Sequence, residues 1–95
     1  MGNLTITTKQ TSVLKALASK KSTFDIPLDE MVDIDQLIDS VDYDVTKEAL
    51  QFTLRSLRNR GYVQKGSSLV FRRGKRRVVW ALTKEGAAIY TRKHS

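Results

Sequence analysis

Apolar residues recur at helical spacing in two stretches near the start of the chain. In "TTKQTSVLKALASKK", Val13, Leu14 and Leu17 predict a first helix, with threonines nearby to cap its start. In "DIDQLIDSV", four apolar positions mark the buried side of a short second helix: Ile34, Leu37, Ile38 and Val41. Asp33 or Asp35 suits the N-terminus of this helix, where the helix dipole favours negative charge.

A break separates these two helices at "STFDIPL". Pro27 disfavours helical geometry in the residue before it and directs that residue toward an extended backbone. Residues 24–26 are therefore predicted to form a short strand. The polar stretch "DYD" after the second helix is predicted to be a turn.

The stretch "VTKEALQFTLRSLRNRG" predicts a third helix. Asp44 is a suitable N-cap, and Gly61 is placed to end the helix. The apolar positions fall into a core face of Leu50, Leu54 and Leu57 and a weaker stripe of Val45, Ala49 and Phe52. The stripe predicts that this helix packs on two neighbours. An exposed polar strip is left, which consists of Lys47, Gln51, Arg55 and Arg58.

A hairpin is predicted around Gly74, because alternating apolar residues flank a cluster of cations there. A two-residue turn of Gly74 and Lys75 would place Arg73 opposite Arg76, Arg72 opposite Arg77, Phe71 opposite Val78, Val70 opposite Val79 and Leu69 opposite Trp80. Alternation then gives one apolar face: Leu69, Phe71, Val78, Trp80 and Leu82. A three-residue loop that contains Gly74 is the alternative, and it would shift this pairing.

Five cations crowd the predicted tip of the hairpin: Arg72, Arg73, Lys75, Arg76 and Arg77. Like charges that face each other across strands are destabilising, so this tip is suited to bind an anion. The alternative is a solvated tip that protects a strand edge from aggregation. After the hairpin, Thr83 is predicted to cap a last short helix that has Glu85 in its first turn and continues through residues 87–90.

Charge is polarised along the chain. The net charge is +7, yet eight carboxylates and no lysine or arginine lie between Asp25 and Asp44. From Val45 onward, thirteen cations are accompanied by only two glutamates. The acidic stretch, residues 25–44, should repel a polyanion that the rest of the chain attracts. Such polarity would orient the protein on a nucleic acid.

Length and composition limit the class of protein. A chain of 95 residues predicts one domain, residues 1–95, with one modest core. The sequence has no cysteine, which excludes disulfides and cysteine-ligated zinc and favours a reducing compartment, the cytoplasm. No run approaches the roughly 18 apolar residues of a membrane span, so no membrane association is predicted.

The sequence does not predict an enzyme, a metal site or a cofactor. His94, the only histidine, lies in the C-terminal tail. The carboxylates of residues 25–44 do not match the spacing of a calcium-binding loop, and a solvated or partner-facing surface is the better interpretation. Trp80 and Phe71 could stack on nucleic-acid bases, but the alternation directs them inward, which favours core packing.

The order of elements and three motifs within it resemble MarR- and PadR-like winged-helix regulators. The motifs are "LRSLRNRGYVQK", the basic hairpin and "WALTKEGAAIY", which is similar to the Leu-Thr-x-x-Gly pattern of that family. The resemblance covers about residues 8–92. It implies an α+β fold, a winged helix-turn-helix with three helices, a β-hairpin wing and a short C-terminal helix.

In that family, the third helix enters the major groove and the wing contacts the flanking backbone or minor groove. The resemblance therefore implies a transcription regulator that binds double-stranded DNA, and a homodimer is compatible with it. It assigns Lys47, Gln51, Arg55 and Arg58 to the recognition helix, and Arg72, Arg73, Lys75, Arg76 and Arg77 to the wing. The alternative is a winged-helix protein-interaction module that docks a polymerase or replication complex through the acidic stretch.

Overall fold

The computed structural model describes the backbone of residues 6–72 and 75–94 and the side chains of residues 6–67 and 78–91. The elements are, in order, α1 (Thr8–Ser19), a 3-10 helix (Leu28–Glu30), β1 (Val32–Asp33), α2 (Ile34–Ser40), α3 (Lys47–Asn59), β2 (Val63–Arg72), β3 (Lys75–Leu82) and α4 (Lys84–His94). The predicted α+β order of three helices, a hairpin and a last helix is confirmed. None of the described helices combines the length and apolar character needed to cross a membrane.

Thr7 starts α1 with a capping box. Its hydroxyl accepts a hydrogen bond from the Gln10 N–H at 3.0 Å, and the Gln10 side chain accepts one from the Thr7 N–H at 3.1 Å. The inward residues predicted for this helix, Val13, Leu14 and Leu17, are buried. One side of the core therefore comes from α1, which packs against α3 and α4.

The strand predicted around Phe24 is not formed. Phe24 is 47% exposed, and Val32–Asp33 pairs with β3 instead, with Val32 opposite Trp80. The buried Ser22 explains this placement, because its hydroxyl donates to the Trp80 carbonyl at 2.6 Å and accepts from the Val32 N–H at 3.2 Å. This hydroxyl holds β1 against β3, and the residues between form a mostly exposed loop and the 3-10 helix.

Asp33, one of the two carboxylates predicted at the N-terminus of α2, is its N-cap, and Asp35 lies in the first turn. Its side chain accepts from the Gln36 N–H at 2.9 Å, and the Gln36 side chain accepts from the Asp33 N–H at 3.0 Å, which forms a second capping box. Leu37 is buried, and Ile34 and Ile38 pack against the core in partly buried positions. The apolar side predicted for α2 is therefore confirmed.

Thr46, rather than the predicted Asp44, caps α3. The Thr46 hydroxyl accepts a hydrogen bond from the Ala49 N–H at 3.2 Å, while Asp44 lies exposed two residues earlier. Both residue types are good caps, so composition alone did not decide between them. With Thr46 as the N-cap, the helix begins at the next residue, Lys47.

Gly61 follows the end of α3, as predicted, with a φ of 81° that favours glycine. Its N–H donates to the Arg58 carbonyl at 2.9 Å, and the Tyr62 N–H donates to the Leu57 carbonyl at 3.0 Å. These two bonds form a Schellman motif, which ends the helix and turns the chain into β2.

The predicted core face of α3 is confirmed, since its three leucines are completely buried: Leu50, Leu54 and Leu57. The second stripe was wrongly expected to pack on another neighbour. Phe52 is 71% exposed and Ala49 is exposed, and only Val45 packs partly against the core. Even without this stripe, α3 contacts three other elements, α1, α2 and β2.

The sheet is antiparallel with the order β1-β3-β2. The hairpin is confirmed, but its register differs from the prediction. Val78, Val79 and Trp80 lie opposite Ser67, Gly66 and Lys65, where Phe71, Val70 and Leu69 were expected. The predicted and observed registers differ by four residues and share the same alternation of faces, so the apolar pattern alone does not distinguish them.

Nearer the tip, Arg72 lies opposite Lys75 after a register shift on β2. Lys75 thus belongs to β3, and the predicted two-residue turn of Gly74 and Lys75 is wrong. The predicted pairing of Arg72 with Arg77 is also wrong, because Arg77 lies opposite Ser68. Arg73 and Gly74 lie outside the described residues, as do the side chains of Leu69 and Phe71.

Both faces of β3 are buried near its end. Trp80 and Leu82 belong to the main core, as predicted. Val79 and Ala81 are completely buried on the opposite face, where they pack with Met31 and Ile26 from the segment before β1. Val78 was expected to face inward but is 44% exposed, because it borders an open cleft.

Thr83 caps α4, as predicted, and also joins α4 to the end of α3. Its hydroxyl accepts from the Gly86 N–H at 3.0 Å and donates to the Gly61 carbonyl, and its N–H donates to the Tyr62 carbonyl at 3.1 Å. A Cβ added at Gly86 would lie 1.8 Å from the Tyr62 carbonyl oxygen. The Leu-Thr-x-x-Gly motif thus brings two backbone segments closer together than any side chain would permit.

Candidate nucleic-acid interface

The four polar side chains predicted on the outer strip of α3 are all exposed: Lys47, Gln51, Arg55 and Arg58. Successive members are about one helical turn apart, so they form a row along the helix. Lys47 is engaged by α2, since its Nζ lies 3.2 Å from the Asp35 carboxylate. Exposed pairs of this kind contribute about 0.2 to 1 kcal/mol, so a phosphate can compete for the lysine.

The row opens onto a cleft of about 200 Å³ between α3 and the base of the hairpin. The lining residues come from α2, α3, β2 and β3: Ile34, Gln51, Arg55, Arg58, Lys65, Val78 and Trp80. This described lining includes three cations and no carboxylate. The cationic cleft therefore concentrates positive potential where the helix and the hairpin meet.

Lys65 is a member of this cleft that the sequence interpretation missed. Its Nζ lies 5.8 Å from the centroid of the Trp80 ring, a distance typical of a cation–π contact. The observed register brings the two together, because Lys65 lies directly opposite Trp80. The sequence did carry a signal for this position of Lys65. Side chains two residues apart on a strand share a face, so Lys65 lies on the same face of β2 as the apolar Val63.

The outermost face of α3 carries residues that were not assigned to a nucleic acid. Glu48, Phe52 and Asn59 are exposed, together with Arg55 of the predicted row. Phe52 was expected to be buried because it is apolar. Its position, two residues from Leu50 on a helix, already places it on the side opposite the core leucines.

A wider groove of about 600 Å³ runs along the other flank of α3, beside the start of α1. Tyr43, Val45 and Phe52 line it, and the charged side chains in its described lining are one lysine and one aspartate. Burial, and then the neighbouring Asp42 carboxylate, raise the pKa of Tyr43, so its phenol stays neutral. This flank is electrically balanced, unlike the cationic cleft.

Four of the five predicted wing cations have a described backbone, at the end of the hairpin farthest from the core residue Val63. The backbone of Arg72 belongs to β2, and that of Lys75, Arg76 and Arg77 belongs to β3. The side chains of these residues, and all of Arg73, lie outside the described parts of the chain. Their contacts with DNA stay a prediction from the sequence.

The acidic stretch is mostly exposed and is tied to two helices by charged contacts. Asp35 pairs with Lys47, while Asp42 accepts from the Ser12 hydroxyl at 2.8 Å and lies 4.0 Å from the Lys15 Nζ. Within the described ranges, no three carboxylate, histidine or cysteine side chains converge to hold a metal ion. The stretch is arranged as a charged surface around α2.

No protein-family model matches the sequence, and no curated protein matches it. Solved structures do match. A candidate transcriptional regulator of the MarR family from Enterococcus faecalis V583 is 28% identical, with a TM-score of 0.57 over 98% of this chain and 86% of that one. A candidate DNA-binding protein from Ralstonia eutropha JMP134 is 19% identical, with a TM-score of 0.69 over 96% of this chain and 100% of that one.

BpsR of Bordetella bronchiseptica, whose DNA binding is regulated by 6-hydroxynicotinic acid, is 16% identical with a TM-score of 0.68. The match covers 97% of this chain and 55% of BpsR, so the chain spans about half the length of that protein. These likenesses confirm the winged-helix, MarR-like fold that the sequence predicted.

Proposed function

We propose that this chain is a transcription regulator that binds double-stranded DNA through α3 and the hairpin of β2 and β3. The cationic cleft carries the proposal, because Gln51, Arg55 and Arg58 of α3 meet Lys65 of β2 there. Helix and hairpin thus direct their charge into one space that a single polyanion can occupy. The DNA binding of BpsR, a protein with the same fold, supports this role.

The dimensions and side chains of α3 suit the major groove of DNA. An α-helix with its side chains is about 10 to 12 Å across, and the groove is about 12 Å wide. Gln51 suits paired hydrogen bonds to adenine, and Arg55 suits the same contact with guanine. Lys47 and Arg58 are assigned to phosphates, which position a helix without reading the sequence.

The wing is assigned to the flanking backbone or minor groove, through Arg72, Arg73, Lys75, Arg76 and Arg77. Each phosphate that a cation neutralises releases condensed counterions, so affinity falls as salt rises. The wing therefore supplies affinity that depends on salt and little on sequence. Lys65 extends the same basic surface from the hairpin base to the helix.

The exposed acidic stretch favours a second candidate function, a protein-interaction module without enzymatic activity. Its carboxylates repel phosphates and would instead meet a basic surface on a polymerase or replication complex. This function requires no preference for a DNA sequence. Sequence preference therefore separates the two candidates.

The test is selection of binding sites from random double-stranded DNA, followed by anisotropy titrations at two salt concentrations. A regulator yields one recurrent motif, and Gln51→Ala or Arg55→Ala each relaxes one or two of its positions at a cost of about 1 to 3 kcal/mol. Lys20→Ala, which changes an exposed lysine outside α3 and the hairpin, should leave the motif intact. Binding without any motif would contradict the regulator and favour the interaction module.

A further inference from the structure

We infer that Phe52 is a specificity-determining residue that reads the methyl group of a thymine from the centre of the α3 interface. The inference rests on the proposed function, since it assumes that α3 enters the major groove. It adds a base contact that is apolar, in contrast to the hydrogen bonds assigned to Gln51 and Arg55.

The first step is the direction of the side chain. Phe52 lies two residues from both Leu50 and Leu54, which are completely buried, so helical geometry points it away from the core. Its 71% exposure agrees with this direction. It is the most exposed of the large apolar side chains in the described ranges, and it is the one that α3 carries.

The second step concerns the residues that surround Phe52. Glu48 lies one turn before it and Arg55 nearly one turn after it, and both are exposed. A stable protein interface needs about 800 Å² on each partner around an apolar centre. On its other side Phe52 borders the groove of Tyr43 and Val45, which are only partly exposed, so the ring does not provide such a centre. The ring instead projects from the outward face of α3, next to Arg55 of the row that is assigned to DNA.

The third step is the chemistry of the groove. Thymine presents a C5-methyl group in the major groove, and phenylalanine is among the side chains that make apolar contact with it. Water leaves both the ring and the methyl when they meet. Burial of one methyl-sized group is expected to change affinity about fourfold, which corresponds to about 0.8 kcal/mol.

The experiment uses the full chain and its selected DNA site, with each thymine replaced in turn by deoxyuridine. This replacement removes the methyl group and leaves the hydrogen-bonding edge of the base unchanged. The parent protein should lose affinity about fourfold at one or two thymines. Phe52→Ala should bind the thymine and deoxyuridine versions of those positions equally well. The matched control is Phe24→Ala, which removes an exposed phenylalanine outside α3 and should keep the parental methyl dependence.

The outcomes separate this inference from the proposed function. If a recurrent motif is selected but no thymine is sensitive to loss of its methyl, the role of Phe52 is refuted while the regulator stands. If no motif is selected at all, the proposed function fails first. Sedimentation of the parent and of Phe52→Ala tests a second contrary result. If the parent is a dimer and the variant is a monomer, the ring contacts a second copy of the chain and not a thymine.

Discussion

Replacement of Gly86 by alanine tests the close approach between α4 and the segment that follows α3. Gly86 is buried in the first turn of α4, where its N–H donates to the Thr83 hydroxyl at 3.0 Å. The added Cβ would lie 1.8 Å from the carbonyl oxygen of Tyr62 and 2.8 Å from its carbonyl carbon. Both contacts are with backbone atoms, so no side-chain rotation relieves them.

Two effects of opposite sign compete in this variant. Helix propensity alone favours alanine over glycine by about 0.8 to 1 kcal/mol. The overlap forces α4 and Tyr62 apart by about 1.2 Å before the contact reaches even 3.0 Å. That movement lengthens the hydrogen bonds from Thr83 to the Tyr62 and Gly61 carbonyls, each worth about 0.5 to 1.5 kcal/mol. Overpacking strain adds about 1 to 3 kcal/mol. We therefore expect a net loss of about 1 to 5 kcal/mol.

Equilibrium unfolding in urea, followed by circular dichroism, measures this difference. The matched control is Gly66→Ala, where the nearest atom to the new Cβ is Leu28 Cδ2 at 2.5 Å. That atom ends a side chain that is 44% exposed and free to rotate, so the control should change stability by less than about 1 kcal/mol. A Gly86→Ala protein as stable as its parent, or more stable, would refute the close approach and leave helix propensity as the deciding effect.

Three further predictions follow from the core and the charges. Leu54→Ala should cost about 2 to 5 kcal/mol, because Leu54 is completely buried, and a urea midpoint equal to that of the parent would show the core to be misplaced. Lys47→Ala should flatten the slope of log affinity against log salt by about 0.9, because the lysine that pairs with Asp35 in the free protein is assigned to a phosphate, and an unchanged slope would mean that Lys47 does not reach DNA. Replacing Arg73 and Arg76 together by alanine should flatten that slope by about 2 without reordering preferred sites, whereas parental affinity and slope would exclude a wing contact.

The helices were largely predictable because their signals are local. Apolar spacing found the buried sides of α1, α2 and α3, and Asp33, Gly61 and Thr83 were recognised as helix ends from their own chemistry. The start of α3 shows the limit of local signals. Asp44 and Thr46 are both good caps, and only the folded path of the loop selects the second.

The strands were less predictable because their partners are distant in the sequence. The position of β1 depends on the Ser22 hydroxyl, which binds both the Val32 N–H and the carbonyl of Trp80, a residue 58 positions after Ser22. The hairpin register could not be read from alternation, because a shift by an even number of residues keeps every side chain on its face. The wrong register also affected the candidate site. Lys65 was missed because the predicted register placed Leu69 opposite Trp80.

The geometry of the candidate interface depends on one small junction between its two parts. Gly61 ends α3, Tyr62 leads directly into β2, and Thr83 follows β3, so the base of the hairpin and the end of α3 meet at these residues. The Thr83 hydroxyl and N–H bind both carbonyls that follow α3, and Gly86 lets α4 press against the same segment. The hairpin therefore has little freedom to swing relative to the helix at its base. Because the cationic cleft lies between these two elements, a change at Gly86 should alter DNA affinity even though this residue is absent from the lining of the cleft.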